Sequence, residues 1–423
     1  MAMVRYNHKY CILMHSQNRL PVAMIFFVDT IREDTNMNTT HLWRWLNGIA
    51  VIVVVILLAC IQRASAEDQG VSGNELVIGM SNALSGPAAA LGTGVKTGAL
   101  TYFNKVNSSG GIYGRKIKVI SYDDGYEPKQ TVDTTNKLIS QDKVFALFGY
   151  VGTPTSTAIL PIINKEAIPY FGPFTGAEFL RNPVNRHIFN VRGSYFNEAE
   201  MQVEYLTKKL GKKRIGVFIQ NDAYGLAVKG GVIKALKARS MALAGEGTYE
   251  RNTSNVDAGL AVLKSAGPDA VVMVGTYKAM AAFIKKAKAE GFTPTFLNVS
   301  FVGTAALVKE LGGAGDGVII SQVMPSPTDA SLPLVRQYQA DMRAAGHSDF
   351  DYTDLEGYVD AVVFTEVLKK AGKNLTRDSF IAAAESLNVT SGGLTFAFSP
   401  SNHQALSKIY LTKITGSKVV MVQ

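Results

Sequence analysis

The chain has 423 residues, of which 47% are hydrophobic and 18% charged, a composition that excludes a disordered protein and allows two domains with large cores. The formal net charge is +9, but the basic residues form no stripe interleaved with aromatics, so no nucleic-acid partner is predicted. The basic cluster Lys208–Arg214 is interpreted as a solvated helix end and loop.

The N-terminal part has the pattern of a secretory signal. The apolar run Ile49–Ile61 follows a basic flank and precedes an A-x-A cleavage motif at 64–66. The run is shorter than the roughly 20 residues that span a membrane as a helix. A start at Met37 gives the signal an ordinary length. We therefore predict a signal peptide over 37–66 and an over-extended start over 1–36.

A lipoprotein is the alternative interpretation of this region. The segment Leu57–Cys60 resembles a lipoprotein cleavage box, which would leave Cys60 lipidated and the protein anchored. The sequence has two cysteines, Cys11 and Cys60, and both precede the A-x-A motif. Under either interpretation the protein is exported to the periplasm. Without disulfides it must rely on a large hydrophobic core.

From Glu75 onward, short apolar runs alternate with helical patterns, which predicts parallel βαβ units in an α/β fold. Most of the runs are continuously apolar, as in strands covered by helices on both faces. The predicted strands are 76–80, 116–122, 144–149, 168–171, 214–219, 270–275 and 317–321. One sheet of average width needs fewer strands, so we predict two doubly wound parallel-sheet domains.

Helical periodicity is clear at 94–107 and 128–140, where apolar residues share one face. Polar, proline-bearing segments near 192–197 and 321–329 are predicted to be hinges between the domains. Two late strands, predicted to complete the two sheets, are 394–399 and 408–414.

Ligands of open α/β sheets bind beyond the carboxyl ends of the strands, so ligand-binding residues are expected in the segments that follow the strands. The Gly-rich stretch Ser81–Gly98 fits neither nucleotide motif. Lys96 follows Val95 instead of glycine, and Thr97 replaces the third glycine of G-x-G-x-x-G. A nucleotide site is therefore not predicted, although the helix N-terminus could hold a carboxylate.

Catalysis and metal binding lack support in the sequence. No serine lies in a G-x-S-x-G turn. Asp123 and Asp124 are interpreted as holding their loop and capping the next helix. We predict no enzyme, no metal and no cofactor. The histidines after the signal, isolated and expected at the surface, are His187, His347 and His403.

Neutral polar and aromatic residues follow the strands of both predicted domains. Hydroxyl and N–H groups suit a carboxylate or an amide, and the aromatic rings suit an apolar or aromatic body. Each residue alone is more often a packing residue, but together they predict a ligand site. These residues are Thr153, Thr155, Ser156, Phe174, Thr175, Tyr195, Tyr224, Tyr277, Ser300 and Phe301.

The order of these motifs resembles that of the periplasmic binding proteins of the leucine/isoleucine/valine type. The motifs are "LSGP", "FGYVGTPTST", "IPYFGPFTGA", "NDAYG" and "LEGYVDA", and the resemblance extends from Glu75 to the C-terminus. These proteins are solute receptors of ABC importers, so the resemblance implies permease subunits in the inner membrane as partners. It also implies two α/β lobes joined by three hinge crossings, with lobe 1 over 74–195 plus 326–400 and lobe 2 over 196–325 plus 401–423.

The resemblance also implies roles for individual residues. In the first lobe, Thr153 and the pair Phe174–Thr175 would hold the ligand's carboxylate, and Leu91 would cover its side chain. In the second lobe, the matching loops contain Tyr224 and the pair Thr276–Tyr277. Two residues of the matching first-lobe loops complete that part of the site, and these are Ser85 and Tyr150.

The sequence departs from the family pattern at three places. The cysteines that staple the first-lobe loops in the leucine receptor align with Tyr126 and Gly152, so that disulfide is absent. Two acidic positions, one of which receives the amino acid's ammonium, align with Ser300 and Asn197. A buried ammonium without a carboxylate partner costs several kcal/mol. The acidic residues that could substitute are Glu198, Asp222 and Glu250.

We therefore expect a receptor that closes on a small ligand with a carboxylate or amide and an apolar or aromatic body, with or without an ammonium. The ligand is an amino acid, an organic acid or an amide. A ligand-sensing receptor coupled to a signalling partner is the alternative, because such receptors share the fold.

Overall fold

The computed structural model describes residues 68–422. The predicted signal at 37–66, the segment 1–36 and Cys60 lie outside the described residues. Within 68–422, no helix is both long enough and apolar enough to cross a membrane.

The first sheet has five parallel strands in the order β2-β1-β3-β4-β5. Its strands are β1 (Glu75–Asn82), β2 (Lys116–Asp123), β3 (Ala146–Phe148), β4 (Tyr170–Phe171) and β5 (Ile188–Phe189). Gly79 of β1 lies between Ile120 of β2 and Leu147 of β3. Strands β3, β4 and β5 are buried at every residue, because helices cover both faces of the sheet.

The second sheet has seven strands in the order β14-β13-β10-β9-β8-β6-β7. Its parallel strands are β6 (Ile215–Gln220), β7 (Glu246–Tyr249), β8 (Ala270–Val274), β9 (Thr295–Asn298) and β10 (Ile319–Gln322). Two antiparallel strands at one edge follow β10, and these are β13 (Tyr410–Thr415) and β14 (Lys418–Met421). Its parallel part repeats the order of the first sheet, so the switch points are β1/β3 in one sheet and β6/β8 in the other.

Helices connect the strands. In chain order they are α1 (Ala89–Ser108), α2 (Pro128–Ser140), α3 (Thr153–Glu166), α4 (Tyr195–Glu204), α5 (Ala223–Lys237), α6 (Asp257–Ala266), α7 (Tyr277–Ala289), α8 (Thr304–Leu311), α9 (Pro333–Ala344), α10 (Tyr352–Ala371) and α11 (Arg377–Glu385). The predicted helix 128–140 matches α2, with Pro128 in the first turn.

The Gly-rich stretch after β1 serves helix packing. A Cβ atom on Gly98 of α1 would lie 1.8 Å from the carbonyl oxygen of Asp354 on α10, and one on Gly357 of α10 would lie 2.1 Å from the carbonyl oxygen of Val95. The two backbones can approach this closely only because glycine stands at both positions.

The predicted α/β fold of doubly wound parallel sheets is confirmed, and some details of the prediction are wrong. The segment 394–399 does not join the first sheet, because β12 (Leu394–Ala397) pairs only with β11 (Asn388–Ser391) in a separate hairpin. His403 is buried and not at the surface: its Nδ1 lies 2.9 Å from the carbonyl oxygen of Ile188, and its ring stacks on Phe189. The lobe boundaries stay a prediction.

Asp123 and Asp124 hold their loop, as expected, but do not cap α2. The Oδ1 atom of Asp123 accepts hydrogen bonds from the backbone N–H groups of Leu84 and Gly125. The carboxylate of Asp124 accepts from the hydroxyls of Ser81 and Thr131. The N-cap residue of α2 is Glu127, whose side chain makes no capping hydrogen bond.

Candidate functional site

Three hydroxyl groups of the first lobe meet beyond the carboxyl ends of β3 and β4. The Oγ1 atoms of Thr153 and Thr175 are 2.7 Å apart, and the hydroxyl oxygen of Tyr195 lies 3.4 Å from Thr175 Oγ1. All three side chains are buried. Burial raises the pKa of Tyr195 to about 12, so its phenol is a neutral donor at neutral pH. These three residues are called the hydroxyl cluster; it contains Thr153 and Thr175, whose role in holding a carboxylate stays a prediction.

Aromatic rings from both lobes meet next to the hydroxyl cluster. The ring of Phe301 lies 4.6 Å from that of Tyr224, 5.4 Å from that of Phe174 and 5.9 Å from that of Tyr126, between ring centroids. Tyr224 and Tyr195 are 5.4 Å apart. These five residues are called the aromatic cluster. Tyr126 was predicted only as a replaced cysteine, so its place here was missed.

The Tyr224 hydroxyl is buried and has no hydrogen-bond partner within the described residues. Burial raises the pKa of Tyr224, so this phenol is also neutral. Buried polar groups are nearly always paired. This hydroxyl, on one of the rings of the aromatic cluster, is therefore available to a polar atom of a ligand.

The start of α1 also contacts the second lobe. The backbone N–H of Ala90 lies 3.4 Å from the Tyr277 hydroxyl. A Cβ atom on Gly303 would lie 2.6 Å from Leu91 Cδ2. Thr276 is buried, and its backbone N–H donates to the hydroxyl of Tyr249. The predicted residues Leu91 and Tyr277 therefore lie where the lobes meet, and Thr276 directly precedes Tyr277.

A buried charged cluster lies next to the hydroxyl cluster, and most of it is not predicted from the sequence. It consists of Arg181, Arg192, Glu198 and Glu356. Arg192 pairs with Glu198 at 3.2 Å and with Glu356 at 3.3 Å, and its guanidinium also donates to the Ser300 hydroxyl. Although burial opposes the charged form, the carboxylates of Glu356 and Glu198 raise the pKa of Arg192. Arg181 lies beside it and donates to the carbonyl oxygens of Thr175 and Arg192.

The missed charged residues had weak signals in the sequence. Arg192 begins a segment that was predicted to be a hinge, and Glu356 lies in the "LEGYVDA" motif. Nothing local in the sequence indicates that these two side chains pair, because 164 positions separate them.

Three predicted site residues do not join the others. The Tyr150 hydroxyl lies 3.2 Å from Thr135 Oγ1 on α2, so its ring lies in the core of the first lobe. Asn197 Oδ1 accepts from the Ser194 N–H and caps α4. Ser85 is exposed, and its N–H donates to Asp123. The predictions for Tyr150, Asn197 and Ser85 are corrected accordingly.

Tyr126 and Gly152, the two positions that align with cysteines of the leucine receptor, are in contact without a disulfide. A Cβ atom on Gly152 would lie 2.3 Å from Cε2 of Tyr126, so the tyrosine ring lies directly on the glycine. Gly152 has φ +112°, a conformation that side chains rarely adopt. The loop that presents Thr153 is therefore held by this close contact.

An ion-pair bridge joins the lobes at the edge of the site. Arg251 after β7 donates to Glu127 Oε2 at 2.8 Å, and Asn252 donates to Glu127 Oε1 at 2.7 Å. Arg251 also donates to Asp222, the N-cap residue of α5. These four residues are called the interlobe bridge. No group of three or more metal-ligating side chains occurs within residues 68–422.

Known proteins share both the sequence pattern and the fold. The family model described as "Periplasmic binding protein" matches residues 75–418. The Leu/Ile/Val-binding protein of Escherichia coli K12 is 27% identical over 301 residues, which are 70% of this chain and 78% of that protein.

Two crystal structures extend the comparison. A possible leucine/isoleucine/valine-binding protein from Rhodopirellula baltica is 36% identical with a TM-score of 0.80, and the match covers 85% of this chain and 98% of that one. A substrate-binding periplasmic protein from Ralstonia solanacearum is 29% identical with a TM-score of 0.77, covering 82% and 99%. The resemblance found in the motifs is confirmed, and the chain belongs to the periplasmic binding protein family.

Proposed function

We propose that the protein is an extracytoplasmic solute receptor of an ABC importer of the branched-chain amino-acid type. It binds a small ligand with a carboxylate or amide and an apolar or aromatic body between its lobes, and it does not transform the ligand. Closure of the lobes presents the loaded receptor to permease subunits in the inner membrane. The signal at 37–66, or lipidation at Cys60, delivers the chain to the periplasm.

The observation that carries the proposal is the convergence of strand ends from both sheets. In the hydroxyl cluster, Thr153 and Thr175 come from the first lobe and Tyr195 from the start of α4. Tyr224 and Phe301 come from the second lobe. A ligand that touches both groups is held only when the lobes are closed, so its binding energy favours the closed state. The branched-chain amino acids named for the relatives are the reference ligands for a test.

Thr153→Val tests the proposal at the hydroxyl cluster. The substitution keeps the shape of the side chain and removes one donor to the carboxylate. We expect ligand affinity to fall about 10-fold, the equivalent of one lost hydrogen bond to a charged group. Affinity is measured by calorimetry with ligands found in a thermal-shift screen of small carboxylates and amides.

Thr157→Val is the matched control, because its hydroxyl lies one turn further along α3, donates to the Thr153 carbonyl oxygen and is exposed. We expect it to leave affinity unchanged. If Thr153→Val lowers the melting temperature strongly and leaves affinity intact, the loop is structural and the proposed site is wrong.

A further inference from the structure

The carboxylate of Glu198 has no acceptor position left for a ligand. Its Oε1 accepts from the Ser300 hydroxyl at 2.9 Å and from Arg192 at 3.2 Å. Its Oε2 accepts from the Ser300 N–H at 2.8 Å and from the Ser321 hydroxyl at 2.6 Å. A carboxylate offers about four lone-pair positions. All four are used inside the protein, so Glu198 cannot also receive a ligand's ammonium.

The two other acidic residues considered for that role are also unsuitable. Asp222 Oδ1 accepts from the N–H of Tyr224, and its Oδ2 accepts from Gln220 and from the cation of Arg251. Glu250 is exposed and accepts from Asn221. One carboxylate is therefore neutralised by an arginine, and the other lies outside the buried site.

Two buried cations lie next to the hydroxyl cluster. The guanidinium carbon of Arg192 lies 5.0 Å from the ring centroid of Phe174 and 5.8 Å from that of Tyr195. Arg181 Nη2 donates to the Thr175 carbonyl oxygen at 3.2 Å. Both arginine side chains are buried, so solvent screens their charge only weakly. Arg192 is paired with Glu198 and Glu356, whereas Arg181 makes no salt bridge within residues 68–422. The charge of Arg181 therefore favours an anion over an ammonium on this side of the site.

From these contacts we propose that the solute is a monocarboxylic acid without an amino group, with an aliphatic or aromatic body. The inference rests on the proposed function and specifies its ligand. The carboxylate lies at the hydroxyl cluster, where the nearby charge of Arg181 favours it. The body packs on the aromatic cluster. None of the three acidic residues Glu198, Asp222 and Glu250 offers an ammonium a free carboxylate inside the site, so its charge would stay unpaired there.

Glu356 is the carboxyl group that could contradict this inference. Its Oε1 accepts from Arg192, and its side chain borders a narrow cavity beside Phe174 and Ser300. Burial raises the pKa of Glu356 to about 7, although Arg192 acts in the opposite direction. The charge of Glu356 is already paired with Arg192, as that of Asp222 is paired with Arg251, so Glu356 is a weak partner for an ammonium.

Matched ligand pairs test the inference on the wild-type protein. Leucine is compared with 4-methylpentanoate, and phenylalanine with 3-phenylpropionate, by calorimetry at pH 7.5. Within each pair the body is the same and only the amino group differs. We expect the amino-free acid of at least one pair to bind at least about 100-fold more tightly than its amino acid, as for a charged group left unpaired.

The failures of the two proposals are distinguishable. If an amino acid binds as tightly as its amino-free partner, or more tightly, the inference is overturned and the proposed receptor function stands. If none of these compounds binds, and a wider screen of small carboxylates and amides gives no thermal shift, the proposed function itself is wrong.

Glu356→Gln gives a second measurement. Removing a negative charge near the site favours an anion, so we expect the amino-free acid to bind about 3-fold more tightly. Glu366→Gln is the control on the same helix, because Glu366 pairs with Lys369 there. A loss of 10-fold or more in amino-acid affinity on Glu356→Gln would identify Glu356 as an ammonium acceptor and overturn the inference.

Discussion

At the scale of single residues, the contact between Gly152 and Tyr126 decides the shape of the loop that presents Thr153. Gly152 has φ +112°, and Tyr126 has φ 63°, so both residues are in the left-handed half of backbone space. Burial of the Tyr126 ring gives the loop part of the rigidity that a disulfide between the two positions would provide. The ring also belongs to the aromatic cluster, so the same residue supports the loop and lines the site.

Gly152→Ala tests this contact. A side chain at this φ costs about 1–3 kcal/mol, and overpacking against the Tyr126 ring costs about 1–3 kcal/mol more. We expect the free energy of unfolding in urea to fall by roughly 2–6 kcal/mol, the sum of both effects.

Gly230→Ala is the control, since Gly230 lies inside α5 with its nearest neighbour, a Phe196 ring carbon, at 3.8 Å. Alanine in a helix interior is favoured over glycine by up to about 1 kcal/mol. In a Tyr126→Ala background, Gly152→Ala should lower the free energy of unfolding by the backbone part alone, because the ring that it would overpack is gone. Equal small effects of Gly152→Ala and Gly230→Ala would mean that the contact does not matter.

At the scale of elements, the interlobe bridge joins the loop after β2 to the loop after β7. Glu127 accepts from Arg251 and Asn252, and Asn252 also donates to the carbonyl oxygen of Gly125. These contacts exist only when the two loops are close. The bridge therefore stabilises the closed arrangement and contributes nothing to an open one.

Arg251→Met removes the charge of the bridge and keeps most of the side chain's length. A partly exposed ion pair contributes up to about 1 kcal/mol, so we expect ligand affinity to fall roughly 5-fold through destabilisation of the closed state. The effect should shrink at about 1 M salt, where screening is strong. Dissociation rates and affinities at low and high salt check both expectations.

Arg239→Met is the matched control, because Arg239 pairs with Glu200 inside the second lobe, at 2.6 Å. It should leave ligand affinity unchanged at both salt concentrations. If both variants lower affinity equally, the loss reflects general charge and the bridge does not stabilise closure.

The elements of the fold were predictable because apolar runs and turn residues are local signals. Short strands such as β5, with two residues, and edge strands such as β7 were missed because they lack such runs. Tyr150 was misplaced for a related reason. It follows β3, as Thr153 does, but nothing local indicates that its side chain turns toward Thr135 on α2. Thr153 and Thr175 also follow strands, and the structure brings their hydroxyls together.

At the scale of the whole molecule, the buried charged cluster joins segments that are distant in the sequence. Arg192 lies between β5 and α4, Glu198 lies on α4, and Glu356 lies on α10. Such long-range pairing leaves no local pattern, so the cluster required the structure. Its members connect the first lobe, the second lobe and the segment between them, so their charge state affects the stability of the whole chain.

The groups that face Glu356 determine how it titrates. They are the cations Arg192 and Arg181 and the carboxyls Glu198 and Asp360. Burial is the largest effect and raises the pKa of Glu356 to about 7, although Arg192 acts in the opposite direction. Burial and the nearby Glu356 also raise the pKa of Asp360, whose Oδ1 has no hydrogen-bond partner in the described part of the chain.

At Glu356 the folded protein therefore binds more protons than the unfolded chain between the ordinary pKa of a glutamate and about pH 7. Stability falls with rising pH wherever the folded state binds more protons. The contribution of Glu356 is fully present below its unfolded pKa and is lost as the pH rises through about 7. Glu356→Gln keeps the shape and cannot ionise, so the variant should not show this loss.

We expect the free energies of unfolding of the wild type and Glu356→Gln to be similar at about pH 5, with the variant more stable at about pH 8 by up to roughly 3 kcal/mol. Urea unfolding without ligand at the two pH values measures this difference. Taking the difference between the two proteins cancels the titration of carboxylates that lie far from Glu356, whereas Asp360, whose pKa Glu356 helps to raise, contributes to the difference. A difference that does not change with pH, or a wild type that gains stability at the higher pH, would mean that Arg192 keeps Glu356 ionised throughout.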